Sequence, residues 1–70
     1  MAIIYVRLLE EGVDAWRPVD ATPLSLDTFR VEGEIPDGEV WEFTPGTVVR
    51  CESKTFSRGR VGLRAVGVAE

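Results

Sequence analysis

Residues 47–68 read TVVRCESKTFSRGRVGLRAVGV, and this stretch decides the fold. Apolar and polar residues alternate in two runs, 47–56 and 60–68, on either side of Ser57-Arg58-Gly59. A three-residue loop that ends in glycine is a common hairpin closure, because glycine enters the left-handed conformation without a steric penalty. The stretch therefore predicts a β-hairpin with a strand over 47–56 and another over 60–68.

The register of this hairpin follows from its alternation, because neighbouring residues of a strand point to opposite faces. Pairing Phe56 with Arg60 places Glu52 opposite Arg64, which is a favourable cross-strand charge pair. A slip by one residue would mix the two faces. The predicted inner face carries Val49, Cys51, Thr55, Val61, Leu63 and Ala65. The predicted outer face carries Arg50, Glu52, Lys54, Phe56, Arg60, Gly62 and Arg64, with Arg58 at the tip.

The rest of the chain repeats this pattern of short alternating runs. Further strands are predicted over residues 3–9, 13 to about 21, 28–32 and 39–44, with turns at Gly12, at Pro36-Asp37-Gly38 and at Pro45-Gly46. No stretch has a helical pattern. We predict a single all-β domain over residues 1–70. Because a sheet of this size removes its exposed edges by closing on itself, we expect a small barrel of five to six antiparallel strands. A flatter sheet that dimerises through an edge is the alternative.

The first hairpin leaves two registers open. A two-residue loop at Glu11-Gly12, with Gly12 at positive φ, sets Trp16 opposite Arg7 on the outside. It also places Ile4, Val6 and Leu8 on the same face as Ala15 and Val19. A three-residue loop instead turns Trp16 inward.

Several segments carry a family resemblance. Residues 42–51, EFTPGTVVRC, resemble the turn-and-strand element of SH3-like barrels, in which an aromatic residue and a glycine precede a valine-rich strand. Residues 6–12 (VRLLEEG), 16–19 (WRPV) and 40–43 (VWEF) are similar to a group of small uncharacterised bacterial proteins with an SH3-like β-barrel. The resemblance implies an SH3-like fold and brings no known activity with it.

The composition removes most reactive groups. The chain has no histidine and one cysteine, Cys51. A lone thiol closes no intramolecular disulfide, and zinc sites need several Cys or His ligands. Cys51 on the inner face is expected to be a small buried hydrophobe. We therefore expect no enzymatic activity, no cofactor and no metal.

The cellular context follows from the same residues. A single reduced thiol suits a reducing compartment, and the N-terminal residues lack the basic region of a signal peptide. No apolar run approaches the roughly 20 residues of a membrane span. We expect a cytoplasmic protein with no membrane partner, and a monomer.

The charge is unevenly spread. Residues 1–49 carry three arginines and ten carboxylates, a net −7, whereas residues 50–70 carry five basic and two acidic residues, a net +3. Acids around the middle turn (Glu32, Glu34, Asp37, Glu39 and Glu42) are interpreted as solubilising rather than as a Ca²⁺ or acid–base site. The candidate binding surface comprises Trp16, Arg50, Lys54, Phe56, Arg58, Arg60 and Arg64.

Two functions compete for this surface. The first is a small non-enzymatic protein-interaction module that binds another protein or a peptide, with Trp16 as an exposed hot spot. The second is association with nucleic acid through the basic C-terminal hairpin, where Phe56 adds an aromatic ring to the cations. A third reading, in which the acidic half blocks a nucleic-acid site on another protein, rests on charge alone. We expect the aromatic residues as a group to be buried in the core. A binding platform made of their rings is the alternative.

Overall fold

Six strands make up the fold. The structure, a computed structural model, describes residues 2–10, 15–56 and 59–69. The strands are β1 (Ala2–Leu9), β2 (Trp16–Pro23), β3 (Thr28–Val31), β4 (Val40–Trp41), β5 (Val48–Thr55) and β6 (Val61–Val68). The all-β prediction is confirmed, and no helix in these ranges is long and apolar enough to cross a membrane.

The sheet closes into a barrel-like ring. The strands follow the order β2-β3-β5-β6-β1-β4, and β1 also pairs with β2. Five strands thus form a circuit, β1-β2-β3-β5-β6, while β4 pairs with the end of β1 through Leu8–Trp41 and Leu9–Val40. A circuit of five strands cannot alternate direction throughout, so one pair must be parallel. That pair is β1 with β6, joined at Tyr5 and Arg64, while every other strand pair is antiparallel, as predicted.

One apolar core fills the ring. Its buried members are Ile4, Val6, Val19, Ala21, Phe29, Val31, Trp41, Val49, Cys51 and Ala65. Of the inner face predicted for the last hairpin, Thr55 and Val61 do not reach this core: Thr55 is exposed and the Val61 side chain is 72% exposed. Their end of the hairpin extends past the barrel, so alternation continues there without burial.

The first hairpin takes the register of the two-residue loop. Arg7 pairs with Trp16 and Ile4 pairs with Val19. The Leu8 N–H donates to the Ala15 carbonyl at 2.8 Å. Trp16 is therefore on the outside, opposite Arg7. The loop at Glu11-Gly12 and the start of the strand predicted from residue 13 lie outside the described residues.

The last hairpin has the predicted register over most of its length. Glu52 pairs with Arg64, Thr55 with Val61, and the Phe56 N–H donates to the Arg60 carbonyl at 2.6 Å. Gly59 has a φ of 75°, in the left-handed region that the predicted loop requires. Ser57 and Arg58 lie outside the described residues.

A β-bulge interrupts this hairpin near its base. Cys51 pairs with Ala65 and Arg50 pairs with Gly67, so Val66 has no partner on β5. A bulge bends its strand and increases the local twist. The uninterrupted alternation predicted from the sequence is wrong at this point.

The fourth strand is shorter than predicted. A strand over residues 39–44 was expected, and β4 covers only Val40–Trp41. Because β1 ends at Leu9, few of its residues can pair with β4. Beyond β4, the Glu42 N–H donates a hydrogen bond to the Arg7 carbonyl at 2.9 Å. Trp41 and Phe43 still pack on the core, Trp41 buried and Phe43 partly buried.

Replacement of Val49 by Asp should unfold the domain. Val49 is 0% exposed, so the new carboxylate would be buried without a cationic partner. We expect a loss of about 4 kcal/mol or more. A chain of this length has a total stability of roughly 3 to 10 kcal/mol at the usual 0.05–0.15 kcal/mol per residue.

Urea denaturation followed by circular dichroism measures the effect. Val61→Asp is the matched control, since Val61 is 72% exposed and should accept the same charge at little cost. A folded Val49→Asp variant would show that β5 presents its other face to the core.

Candidate functional site: an outer face of cations and aromatic rings

Four neighbouring strands build one continuous outer surface. β2, β1, β6 and β5 lie side by side in that order around the ring. Residues that point outward from these strands therefore meet, although they are distant in sequence. We call this surface the outer face; it is made by Tyr5, Arg7, Trp16, Lys54, Phe56, Gly62 and Arg64.

Three rings of the outer face pack against one another. The Tyr5 and Phe56 ring centroids are 4.4 Å apart with the planes tilted by 39°. The Trp16 ring meets Phe56 edge-on, at 5.9 Å between centroids and 76° between planes. Such pairs contribute about 0.5–1.5 kcal/mol each beyond the area they bury. Tyr5, Trp16 and Phe56, the aromatic cluster, are each partly buried and hold one another in place.

Gly62 makes room for this cluster. A β-carbon at residue 62 would lie 2.7 Å from Tyr5 Cε1 and 3.3 Å from Phe56 Cε2. The first distance is shorter than a real carbon–carbon contact, so a larger residue would displace the Tyr5 ring. An isolated glycine in a strand often marks such a close approach.

Lys54 lies over the same rings. Its Nζ is 5.8 Å from the centroid of the Trp16 ring and 5.5 Å from that of Phe56. Both distances are within the range of cation–π attraction, which contributes about 0.5–1 kcal/mol at exposed sites. The lysine is thus held at the rim of the cluster.

A pocket of about 310 Å³ opens beside Trp16 and Lys54. Its other polar lining residues are Arg7, Glu42 and Arg64, and its aliphatic lining residues are Ala65 and Val66. Three cations and one carboxylate therefore surround the pocket. The carboxylate of Glu52 also lies near, with its Oε1 4.0 Å from Arg64 Nη2, a distance too long for a hydrogen bond.

Two N–H donors of the pocket residues are buried without an acceptor. Trp16 Nε1 and Arg64 Nε are inaccessible to solvent, and neither has a hydrogen-bond partner within the described part of the chain. A buried donor without an acceptor typically costs about 1–3 kcal/mol. Because both atoms are inaccessible to solvent, an acceptor from outside the chain could reach them only if the surrounding side chains moved.

The predicted binding residues divide into two groups. The structure brings together Trp16, Lys54, Phe56 and Arg64. Arg50 lies apart: its Nη1 donates to Glu52 Oε2 at 2.9 Å, and it lines a separate hollow with Thr28, Val48, Val68 and Ala69. Arg60 is exposed and lines neither pocket, and Arg58 lies outside the described residues.

The site also contains residues outside the predicted binding surface, namely Tyr5, Arg7, Glu42, Gly62, Ala65 and Val66. Gly62 carried a signal, because an isolated glycine within an alternating strand indicates close packing. Glu42 was grouped with the solubilising acids, and nothing in its local sequence placed it beside Lys54. Val66 reaches the pocket at the bulge, which local alternation does not show.

Two acids of the middle segment are structural. Glu32 Oε2 accepts hydrogen bonds from Thr22 Oγ1 and Arg30 Nε, both at 2.7 Å. These two bonds lower the pKa of Glu32 below its ordinary value. Glu39 accepts from Trp41 Nε1 at 3.0 Å and pairs with Arg17 at 3.3 Å. Among the residues described, no group of three His, Cys, Asp or Glu side chains is placed to hold a metal ion.

The only cysteine is buried in the core, as predicted. Cys51 is 4% exposed. Burial, and secondarily the negative charge of Asp27, raises the pKa of the thiol from its ordinary value of 9.0 to about 11. The thiol therefore stays protonated at neutral pH. Because only the thiolate is a nucleophile, Cys51 is a poor nucleophile under these conditions.

Comparison of the chain with protein-family models, curated proteins and solved structures finds no match. A functional proposal therefore rests on the geometry of the outer face.

Replacement of Gly62 by Ala should open the aromatic cluster. The added methyl group would meet the Tyr5 and Phe56 rings, and overpacking of this kind costs about 1–3 kcal/mol. We expect weaker near-ultraviolet circular dichroism and a lower free energy of unfolding. Gly67→Ala is the control on the same strand, since no atom lies within 4 Å of a β-carbon there. Equal stability of the two variants would show that the rings do not pack over Gly62.

The Cys51 thiol should react slowly with Ellman's reagent in the folded protein. At pH 8, a rise of the pKa from 9.0 to about 11 lowers the thiolate fraction on the order of a hundredfold. The rate should climb as the pH approaches 11 and should be fast in denaturant. A native rate equal to that of the unfolded chain would place the thiol at the surface.

Proposed function

We propose that the protein is a small non-enzymatic interaction module that binds an anionic segment of another protein through the outer face. One observation carries the proposal. The cations Arg7, Lys54 and Arg64 line one pocket, and the packed rings of Trp16 and Phe56 lie beside it. An anionic segment of a partner would be attracted by these cations, and complementary charge gives an interface specificity.

The residue types of the outer face support a protein partner. Tryptophan, tyrosine and arginine are the residues that contribute most to binding at protein interfaces, where they lie in well-packed clusters. Here the rings of Tyr5, Trp16 and Phe56 are already packed together. Because the cluster is ordered before a partner arrives, less conformational entropy is lost on binding.

Single-stranded nucleic acid is the second candidate, since cations and aromatic rings share one face. Two observations favour the protein partner. Lys54 already covers the Trp16 and Phe56 rings on which bases would stack. Arg50, a further cation that could grip the phosphate backbone, lines a separate hollow and bonds to Glu52.

The non-enzymatic part of the proposal rests on the reactive groups. The sequence has no histidine to act as a general base near neutral pH. Its one thiol is buried and protonated. The polar residues around the pocket are suited to binding charge rather than to breaking bonds.

We further propose that this module is an SH3-like barrel of a bacterial cytoplasm that works as a monomer. The order of a long first hairpin, a short middle strand and a final hairpin supports the SH3-like assignment. The lone reduced thiol supports a reducing compartment. Closure of the ring leaves few strand edges for self-association, which supports a monomer.

Capture of partners from a lysate of the source cells tests the proposed function. Lys54→Glu reverses a charge in the pocket and should reduce the captured protein at least tenfold. Arg60→Glu reverses a charge on the same hairpin outside the pocket and should leave capture unchanged. Circular dichroism of both variants controls for folding, and quantitative mass spectrometry measures the captured partner.

Nuclease treatment of the lysate separates the two candidates. Capture of a protein that survives nuclease and is lost in Lys54→Glu supports the interaction module. Capture that disappears with nuclease would instead favour nucleic acid. Equal losses in Lys54→Glu and Arg60→Glu would contradict a role for this pocket.

A further inference from the structure

We propose that β5 takes an extended segment of the partner protein as an added β-strand, along the side of Ser53, Lys54 and Thr55 that faces away from β6. We call this side the open edge. The inference rests on the proposed function, because it specifies how the anionic segment binds. The backbone of the segment pairs with Ser53 and Thr55, and an acidic side chain of the segment lies opposite Lys54.

The backbone groups of Ser53 and Thr55 point away from β6. In an antiparallel pair, residues that exchange hydrogen bonds with the partner strand alternate with residues whose N–H and C=O groups point to the other side. The Phe56 N–H donates to the Arg60 carbonyl at 2.6 Å, and two residues earlier Lys54 pairs with β6 in the same way. Ser53 and Thr55 lie at the alternate positions, so their N–H and C=O groups form the open edge.

No strand of the described chain covers the open edge. β3 pairs with β5 only over Val48–Arg50. The next contact along that line is the last one, from the Cys51 N–H to the Asp27 carbonyl at 2.7 Å. Ser53 and Thr55 are exposed, and within the described residues neither has a backbone hydrogen bond on this side. The position beside them, in line with β3, is therefore vacant in the chain itself.

An extended backbone is the chemical complement of such an edge. Ser53 and Thr55 each offer one N–H donor and one C=O acceptor at the surface. Peptides that add a strand to an exposed sheet edge satisfy these groups with their own main chain. In contrast to the buried side-chain donors of the pocket, these groups are reached directly from solvent.

Lys54 sets the charge of the segment. It lies between Ser53 and Thr55, and its side chain is on the outer face, where Nζ is 5.8 Å from the centroid of the Trp16 ring. Opposite charges that face each other across a strand pair attract, and Thr or Ser side chains in facing positions form hydrogen bonds. The best segment therefore has an aspartate or glutamate opposite Lys54 and a threonine on either side of it.

A second copy of this chain fits the open edge less well. An antiparallel pair with Ser53 opposite Thr55 of the second copy places Lys54 opposite Lys54 of the second copy, and like charges that face each other are destabilising. The register with Ser53 opposite itself brings Thr55 to Cys51, whose N–H already donates to Asp27. A different chain with an acidic residue avoids both conflicts.

Amide hydrogen exchange of the ¹⁵N-labelled protein, followed by NMR, tests the open edge. In the free protein we expect the Ser53 and Thr55 amides to exchange at least tenfold faster than the Lys54 amide, which is bonded to β6. The probe is the peptide acetyl-Val-Thr-Glu-Thr-Val-amide. At saturation it should slow exchange at Ser53 and Thr55 at least tenfold.

Methylation of the peptide backbone provides the matched control. In the proposed register the two threonine N–H groups of the peptide face the open edge, and the glutamate N–H faces away. N-methylation of both threonines should weaken binding at least tenfold, whereas N-methylation of the glutamate should leave it within twofold. The glutamine counterpart of the peptide should bind at least threefold more weakly to the natural chain and equally well to Lys54→Gln.

Three results would overturn the inference. The first is slow exchange of the Ser53 and Thr55 amides in the free protein, including protection that grows with protein concentration, which would show a second copy at the edge. The second is peptide binding that leaves these two amides unprotected. The third is equal binding of the two N-methylated peptides.

Failure of this inference is distinguishable from failure of the proposed function. If the peptide leaves the Ser53 and Thr55 amides unprotected while Lys54→Glu still abolishes partner capture, only the strand addition falls. If the peptide protects both amides while capture is indifferent to Lys54→Glu, the proposed function falls and the open edge stands as a peptide site.

Discussion

The parallel pairing of β1 with β6 is the constraint on which the rest of the structure depends. Five strands closed in a circuit require one parallel neighbour pair, and Tyr5 and Arg64 form its contact. This contact places the first and last strands side by side. It closes the core on the inside and joins four strands into one surface on the outside, so the barrel and the candidate site have the same structural origin.

The small interior explains why aromatic rings lie outside. The core consists mostly of aliphatic side chains and has room for two large rings, Phe29 and Trp41. Phe43 packs against this core while partly buried. The rings of the aromatic cluster pack on the outer face instead, and Gly62 leaves space for the Tyr5 and Phe56 rings. The expectation that the aromatic residues are buried in the core is therefore right for Phe29 and Trp41. It is wrong for the three rings of the aromatic cluster, which lie on the outer face. The outer group is nevertheless ordered, because its rings bury one another.

Order and charge are combined at the pocket. Lys54 is held over the rings, and Arg64 lies opposite Glu52 across the β5–β6 pair. The Trp16 and Arg64 side chains are thus held by their neighbours in the outer face. By contrast, the acids Glu32 and Glu39 are occupied by partners within the chain, which leaves them a structural role.

The sequence by itself determined both long hairpins, the register of the last one near its tip, and the inward positions of Val49 and Cys51. These features follow from local rules, namely two-residue alternation and the chemistry of the turns. Only the tertiary structure decided the register of the first hairpin, the parallel closure, the bulge at Val66 and the short fourth strand. It also decided the meeting of Trp16 with Phe56. The parallel closure, the short fourth strand and the contact of Trp16 with Phe56 depend on which distant strands pair, and a local pattern holds no information about such neighbours. The register of the first hairpin and the bulge lie within consecutive strands, where alternation alone leaves more than one pairing open.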